Sequence, residues 1–208
     1  MVPPTADPAF AWDGARYRNL ATGRYVPAAD VRAATDAAFG ASEARARALT
    51  EQLRAGTLSL DDWHAAMRRE VKRSNLYGAA AADGGWAHMT PSAYGRVGQR
   101  VRAEYAYLAR LAAGLADGSI PLDGHAVARA GQYGLSGRAT YWAADMAAHA
   151  ARGEECRNVT TAGESCAGCL AEAARGYVDP RTMSAPGSRQ CRRRCRCYLV
   201  WRRAGSGA

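Results

Sequence analysis

Five cysteines near the C-terminus carry the residue types and spacing best suited to chemistry: Cys166-x2-Cys169-x21-Cys191-x3-Cys195-x-Cys197. A Cys-x2-Cys pair sets two thiolates around one turn, and a second cluster about twenty residues later closes a tetrahedral site. Gly168 permits the tight turn between the first pair. Cys166 also stands where a short helix, Ala167 to Arg175, is expected to begin and to be closed by Gly176. A helix N-terminus stabilises thiolates and so favours metal binding. Only sulfur ligands are in reach, so the expected site is closed and structural, holding Zn2+. Cys166 and Cys169 supply two ligands, and the partners come from Cys191, Cys195 and Cys197, leaving one thiol spare. If Cys195–Trp201 is a strand, Cys195 and Cys197 point to one face. Cys156 lies outside the pattern and reads as a small buried residue.

Other chemistries find less support. Cys-Ala-Gly-Cys at a helix start has the look of a thioredoxin-like redox pair, but no βαβ pattern surrounds it and such a pair needs no further cysteines downstream. A zinc deaminase needs His-x-Glu or Cys-x-Glu ahead of its Cys-x2-Cys. Here His64, His88, His125 and His149 are followed two positions on by Ala66, Thr90, Val127 and Ala151, and Cys156 by Asn158. His-Glu-x-x-His is absent as well. Each histidine reads as a surface or packed residue. Gly131, Gly134 and Gly137 recur every third residue, but no strand precedes them and no Lys-Ser/Thr follows, so they signal a close helix approach or a local break rather than a phosphate loop. No catalytic residue is assigned, and the chain is expected not to be an enzyme.

The net charge of +9 is a property of the tail. After Asp179 there is no acidic residue, while arginines continue to Arg203; the remainder of the 208-residue chain is almost neutral. Arg189, Arg192, Arg193, Arg194, Arg196, Arg202 and Arg203 are the candidates for contacts to double-stranded DNA. The alternative is that they offset metal-bound thiolates. Lys72 is the only lysine, a skew that matches the excess of alanine and carries no mechanism. The N-terminus has no apolar run like a signal-peptide core, and about 18 unbroken apolar residues occur nowhere, so no membrane partner is expected. A reducing cytosol, where disulfides are rare, is the expected site of synthesis.

The elements that must position the cysteines read as mainly α. Residues 1–28 form an N-terminal arm: residues 1–16 look loose, and Tyr17 to Val26 reads as a hairpin about Thr22-Gly23. Residues 29–153 form a helical bundle body. One helix runs from about Ala29 to Leu53. A second follows Ser59, an N-cap with Asp61 and Asp62 in the first turn. A third opens at Thr90-Pro91 and carries Tyr94, Val97, Val101, Tyr105, Leu108, Leu111 and Leu115 at steps of three and four, one apolar face. A fourth is expected from around Pro121 toward Arg152. Residues 154–203 form the Cys-rich zinc-knuckle subdomain with its basic tail.

Four passages give the chain a resemblance to a known family: YRNLATGRYV, GGWAHMTPSAYGRVG, ARAGQYGLSGRATYWAADMAAHA, and ESCAGCLAEAARGYVDP with APGSRQCRRRCRCYLVW. The chain resembles the minor head, or head morphogenesis, proteins of tailed bacteriophages and prophages. The last passage is the most specific, since those proteins end in a similar Cys-x2-Cys-Leu, a Pro-Gly loop, then Cys-x3-Cys-x-Cys and a short strand. The resemblance implies a non-enzymatic minor capsid component near the portal, present in few copies and acting in head assembly or DNA packaging. Its partners are then phage portal or capsid proteins and its location the virion head, after assembly in the host cytoplasm. Arg192-Arg193-Arg194 departs from the pattern in being more basic. The competing expectation is a cytosolic zinc-dependent nucleic-acid-binding module of regulatory type.

Overall fold

A computed structural model describes residues 8–13, 16–161 and 165–205. The expected loose arm falls partly outside these residues. Where it is described it holds order that the sequence reading lacked: β1 (Phe10–Trp12) pairs antiparallel with β2 (Tyr17–Asn19), with Trp12 opposite Tyr17. The hairpin expected about Thr22-Gly23 is present and short: Arg18 bridges Tyr25, Asn19 N donates to Arg24 O at 2.9 Å and Val26 N to Tyr17 O at 3.0 Å. Gly84 draws β1 onto the body, since its carbonyl accepts from Trp12 N at 3.0 Å and a Cβ there would lie 2.6 Å from that of Trp12.

The body is mainly helical. α1 (Ala28–Arg54) and α2 (Leu60–Ala82) are followed by α3 (Pro91–Ala116), α4 (Gly124–Gly134) and α5 (Gly137–Ala151). The expected caps are present: Ser59 and Thr90 accept from the amides of Asp62 and Ala93. Trp63, Met67, Val71, Leu108, Leu111 and Tyr133 fill the centre between α1, α2, α3 and α4. Six of the seven stripe residues on α3 face that centre or its continuation against Leu76 and Ala79, whereas Tyr94 lies on the surface. No helix of the described residues is long and apolar enough to cross a membrane.

The single helix expected from Pro121 to Arg152 is two helices. Gly134 packs against the α1 backbone and Gly137 against α2: a Cβ would meet the Ser42 carbonyl at 2.4 Å and the Ser74 carbonyl at 2.1 Å. Ser74 repairs the break, donating its hydroxyl to Gly134 O at 2.6 Å and accepting from Gly137 N at 3.1 Å. The two backbone groups that lose helical partners thereby find one hydroxyl. Asn75 adds a bond to Ser136 Oγ at 2.7 Å.

The C-terminal part begins with β3 (Glu154–Val159), continues through α6 (Ala167–Ala174), and ends in β4 (Tyr198–Arg203). β3 and β4 pair antiparallel, Cys156 opposite Trp201. The strand expected over Cys195–Trp201 thus starts later, leaving Cys195 and Cys197 in the turn before it. Cys156 is fully buried, packed with Met146 of α5, Met183 and Leu199.

Candidate metal centre

Two short stretches deliver the five sulfurs. Cys166 is the N-cap of α6 and Cys169 sits in its first turn, with Cys169 N bonded to Cys166 O at 2.9 Å. Cys191 and Cys195 bracket a 3₁₀ turn at Arg192–Arg194, where Arg192 adopts φ +47°, and Cys197 precedes β4. The sulfurs form two triads that share Cys169: Cys166, Cys169 and Cys191 on one side, Cys169, Cys195 and Cys197 on the other, each within 4.8 Å. Cys169 Sγ lies 3.5 Å from Cys191 Sγ and 3.6 Å from Cys195 Sγ. A disulfide needs about 2.05 Å, and all six cysteines are free thiols. The edge of a tetrahedron with metal–sulfur bonds of about 2.3 Å is about 3.8 Å. The cluster therefore has the dimensions to hold a metal ion.

The electrostatics favour a cation there. The Cys166 thiol is lowered to about 6, chiefly because Cys169 N–H donates to it, with Cys191 N–H adding to the effect. At Cys195 burial raises the thiol, but hydrogen bonds from Cys191 and from the N–H groups of Cys197 and Gly187 outweigh it and leave it below its usual range. Burial drives Cys169 well above that range and pushes Cys191 up to about 12. A buried group of this kind holds several negative charges only around a cation.

Polar contacts fix the backbone carrying these sulfurs. Asn158 of β3 donates to Cys169 O at 3.0 Å and accepts from Arg189 at 2.8 Å; Arg189, only 8% exposed, also donates to Ser184 O at 3.1 Å. Arg138 of α5 reaches Cys195 O at 3.3 Å and Arg193 O at 3.4 Å. In the opposite direction Arg193 runs into the body, donating to Gln132 O at 2.9 Å and pairing with Glu104, a fully buried carboxylate of α3.

The chain matches no family model, no curated protein and no solved structure.

The seven arginines singled out in the sequence fall into two groups. Arg189, Arg193 and Arg202 are taken up within the chain, Arg202 by Glu155 at 2.8 Å and by the Tyr177 ring. Arg192, Arg194, Arg196 and Arg203 lie on the surface. None of the four histidines joins the sulfur cluster. Asn158, Arg138 and Glu104 went unnoticed in the sequence. Glu104 had a signal: it stands three residues after Val101 and four before Leu108, on the buried face, where a carboxylate requires a cation from elsewhere.

Proposed function

We propose that the chain is a non-enzymatic structural component of a phage or prophage head, a minor capsid or head morphogenesis protein near the portal, whose C-terminal knuckle is shaped by one structural zinc ion. The convergence of five thiols with no histidine or carboxylate among them supports the zinc reading. An all-sulfur set leaves no open position for substrate, and zinc is the common ion for it in tetrahedral form. The resemblance of the four sequence passages to minor head proteins supports the phage reading.

Within the cluster, Cys166, Cys169, Cys191 and Cys195 are the proposed ligands. Cys191 interacts with each of the other three, and Cys169 lies 3.6 Å from Cys195 and interacts with Cys166 as well as with Cys197. Cys197 is the spare thiol. It sits 3.7 Å from Ser165 Oγ, and its N–H serves the Cys195 sulfur. Bound zinc neutralises thiolates in a segment with too little apolar core to fold alone, so binding energy becomes folding energy.

The test of the head assignment is protein mass spectrometry on purified phage particles from the host that encodes the chain. The chain is expected in mature or precursor heads at a few copies. Its consistent absence from heads, with the major capsid protein well covered, overturns the assignment.

A further inference from the structure

Away from the cysteines, a cleft of about 510 Å³ opens between the β1–β2 arm, α1, the α2–α3 connection, α5 and β4. That volume lies within the range of about 300–1,000 Å³ common to small-molecule sites. Three features of its lining define an occupant. The first is aromatic: Trp12 stands edge-on to Tyr17 at 5.0 Å, Trp142 lies edge-on to Tyr141 at 4.9 Å, and Trp201 stacks on His149 at 3.7 Å. Flat rings of this density hold a flat ring. The second is positive charge, since Arg16, Arg32, Arg96 and Arg152 line the cleft against only Asp83 and Asp145. Among the described residues Arg32 and Arg96 make no ion pair; Arg32 lies over the Tyr198 ring and Arg96 donates to Ser92. Guanidinium groups in this state suit phosphate.

The third feature is Asp145. It is 5% exposed and lines the cleft, its one ion-pair partner among the described residues is His149 Nε2 at 3.5 Å, and the Tyr17 and Tyr141 phenols also feel its charge. The other ring nitrogen of His149 is held by Glu154. A carboxylate has about four acceptor sites, and with His149 as its one ion-pair partner Asp145 keeps acceptor capacity toward the cleft it lines. It also repels a bare anion, just as the arginines repel a bare cation. An occupant must therefore carry N–H donors at one end, a flat ring, and negative charge at the other.

We propose that this cleft binds a nucleotide, with its phosphate among Arg32, Arg96 and Arg152, its base between the tryptophan-bearing walls, and the N–H edge of the base donating to Asp145. Guanine is the best match, because its ring N–H and exocyclic amine are adjacent donors that suit one carboxylate. The site is independent of the metal centre and of the head assignment.

Titration of the full-length, metal-loaded chain with 5′-GMP tests this, read by tryptophan fluorescence and by calorimetry, since Trp12, Trp142 and Trp201 all line the cleft. GMP is expected to saturate, and to bind roughly tenfold or more tightly than guanosine, inorganic phosphate or free tryptophan. Asp145→Asn is expected to abolish the preference for GMP over UMP. Arg32→Ala and Arg96→Ala are expected to weaken GMP while leaving guanosine unchanged, each variant keeping the wild-type circular dichroism. The proposal is overturned if GMP fails to saturate at millimolar concentration, if phosphate or tryptophan binds as well as GMP, or if all three folded variants bind GMP like the wild type.

Discussion

Cys169 shows how one residue is fixed by several constraints at once. It is fully buried, its amide closes the turn from Cys166, its carbonyl accepts from Asn158, and its sulfur belongs to both triads. Its replacement by Ser should therefore lower zinc affinity by well over about 100-fold, whereas Cys197→Ser should stay within roughly tenfold of wild type, as a contact outside the ligand set does. Competition with a chromophoric chelator measures both, and equal losses would contradict the ligand assignment. Arg193 is the second informative residue. The run Arg192-Arg193-Arg194 looks uniform in sequence, yet the 3₁₀ turn directs only the middle side chain inward to Glu104. Arg193→Ala leaves that carboxylate buried, with Arg100 at 3.5 Å as its remaining partner. The expected loss is about 3 kcal/mol, the low end for a broken buried pair. Arg192→Ala and Arg194→Ala, both at exposed positions, should cost under about 0.5 kcal/mol in the same urea titrations.

At the scale of elements, α1, α2 and α3 were legible because their caps and periodicity agree. Ser59 and Thr90 sit where cap geometry needs an oxygen acceptor, and the apolar steps on α3 match its buried face. The break between α4 and α5 was signalled only as three recurring glycines. Whether such glycines admit a neighbour or end a helix depends on what crosses them, and here both occur at once. Gly137→Ala should destabilise the body by about 1–3 kcal/mol, since the added methyl meets the Ser74 carbonyl, which belongs to a helix backbone and has no room to move. Thermal unfolding followed at a helical wavelength reads this loss. An unchanged midpoint would mean that α2 and α5 do not approach so closely. The pairing of β1 with β2 was not legible, because three-residue strands carry too little alternation to rise above the prolines around them. The start of β4 was placed early for a related reason: Cys195 and Cys197 alternate like a strand but are held by the sulfur cluster rather than by a ladder.

For the molecule as a whole, the knuckle and the helical body are joined by polar contacts running both ways, Arg138 toward the cysteine turn and Arg193 toward α3. No periodicity or spacing announces such pairs, because their partners lie 55 or more positions apart in sequence. The cleft was invisible for the same reason, its lining being drawn from five separated segments. The sulfur cluster was readable because its spacing is local to two short stretches. The same contacts change what the basic tail offers a nucleic acid. Arg189, Arg193 and Arg202 are buried or half-buried, and the exposed members of the tail are Arg192, Arg194, Arg196 and Arg203. If these four meet the phosphates of double-stranded DNA, log affinity should fall against log salt with a slope of about −3.5. Fluorescence anisotropy with a short duplex measures it, and a slope near zero would remove the phosphate contact.

Native mass spectrometry of the chain, purified without chelator, bears most directly on the C-terminal form. The mass of one zinc per chain, with every cysteine still reduced, is the predicted result. A folded, metal-free chain, or one whose cysteines are joined as disulfides, would contradict it.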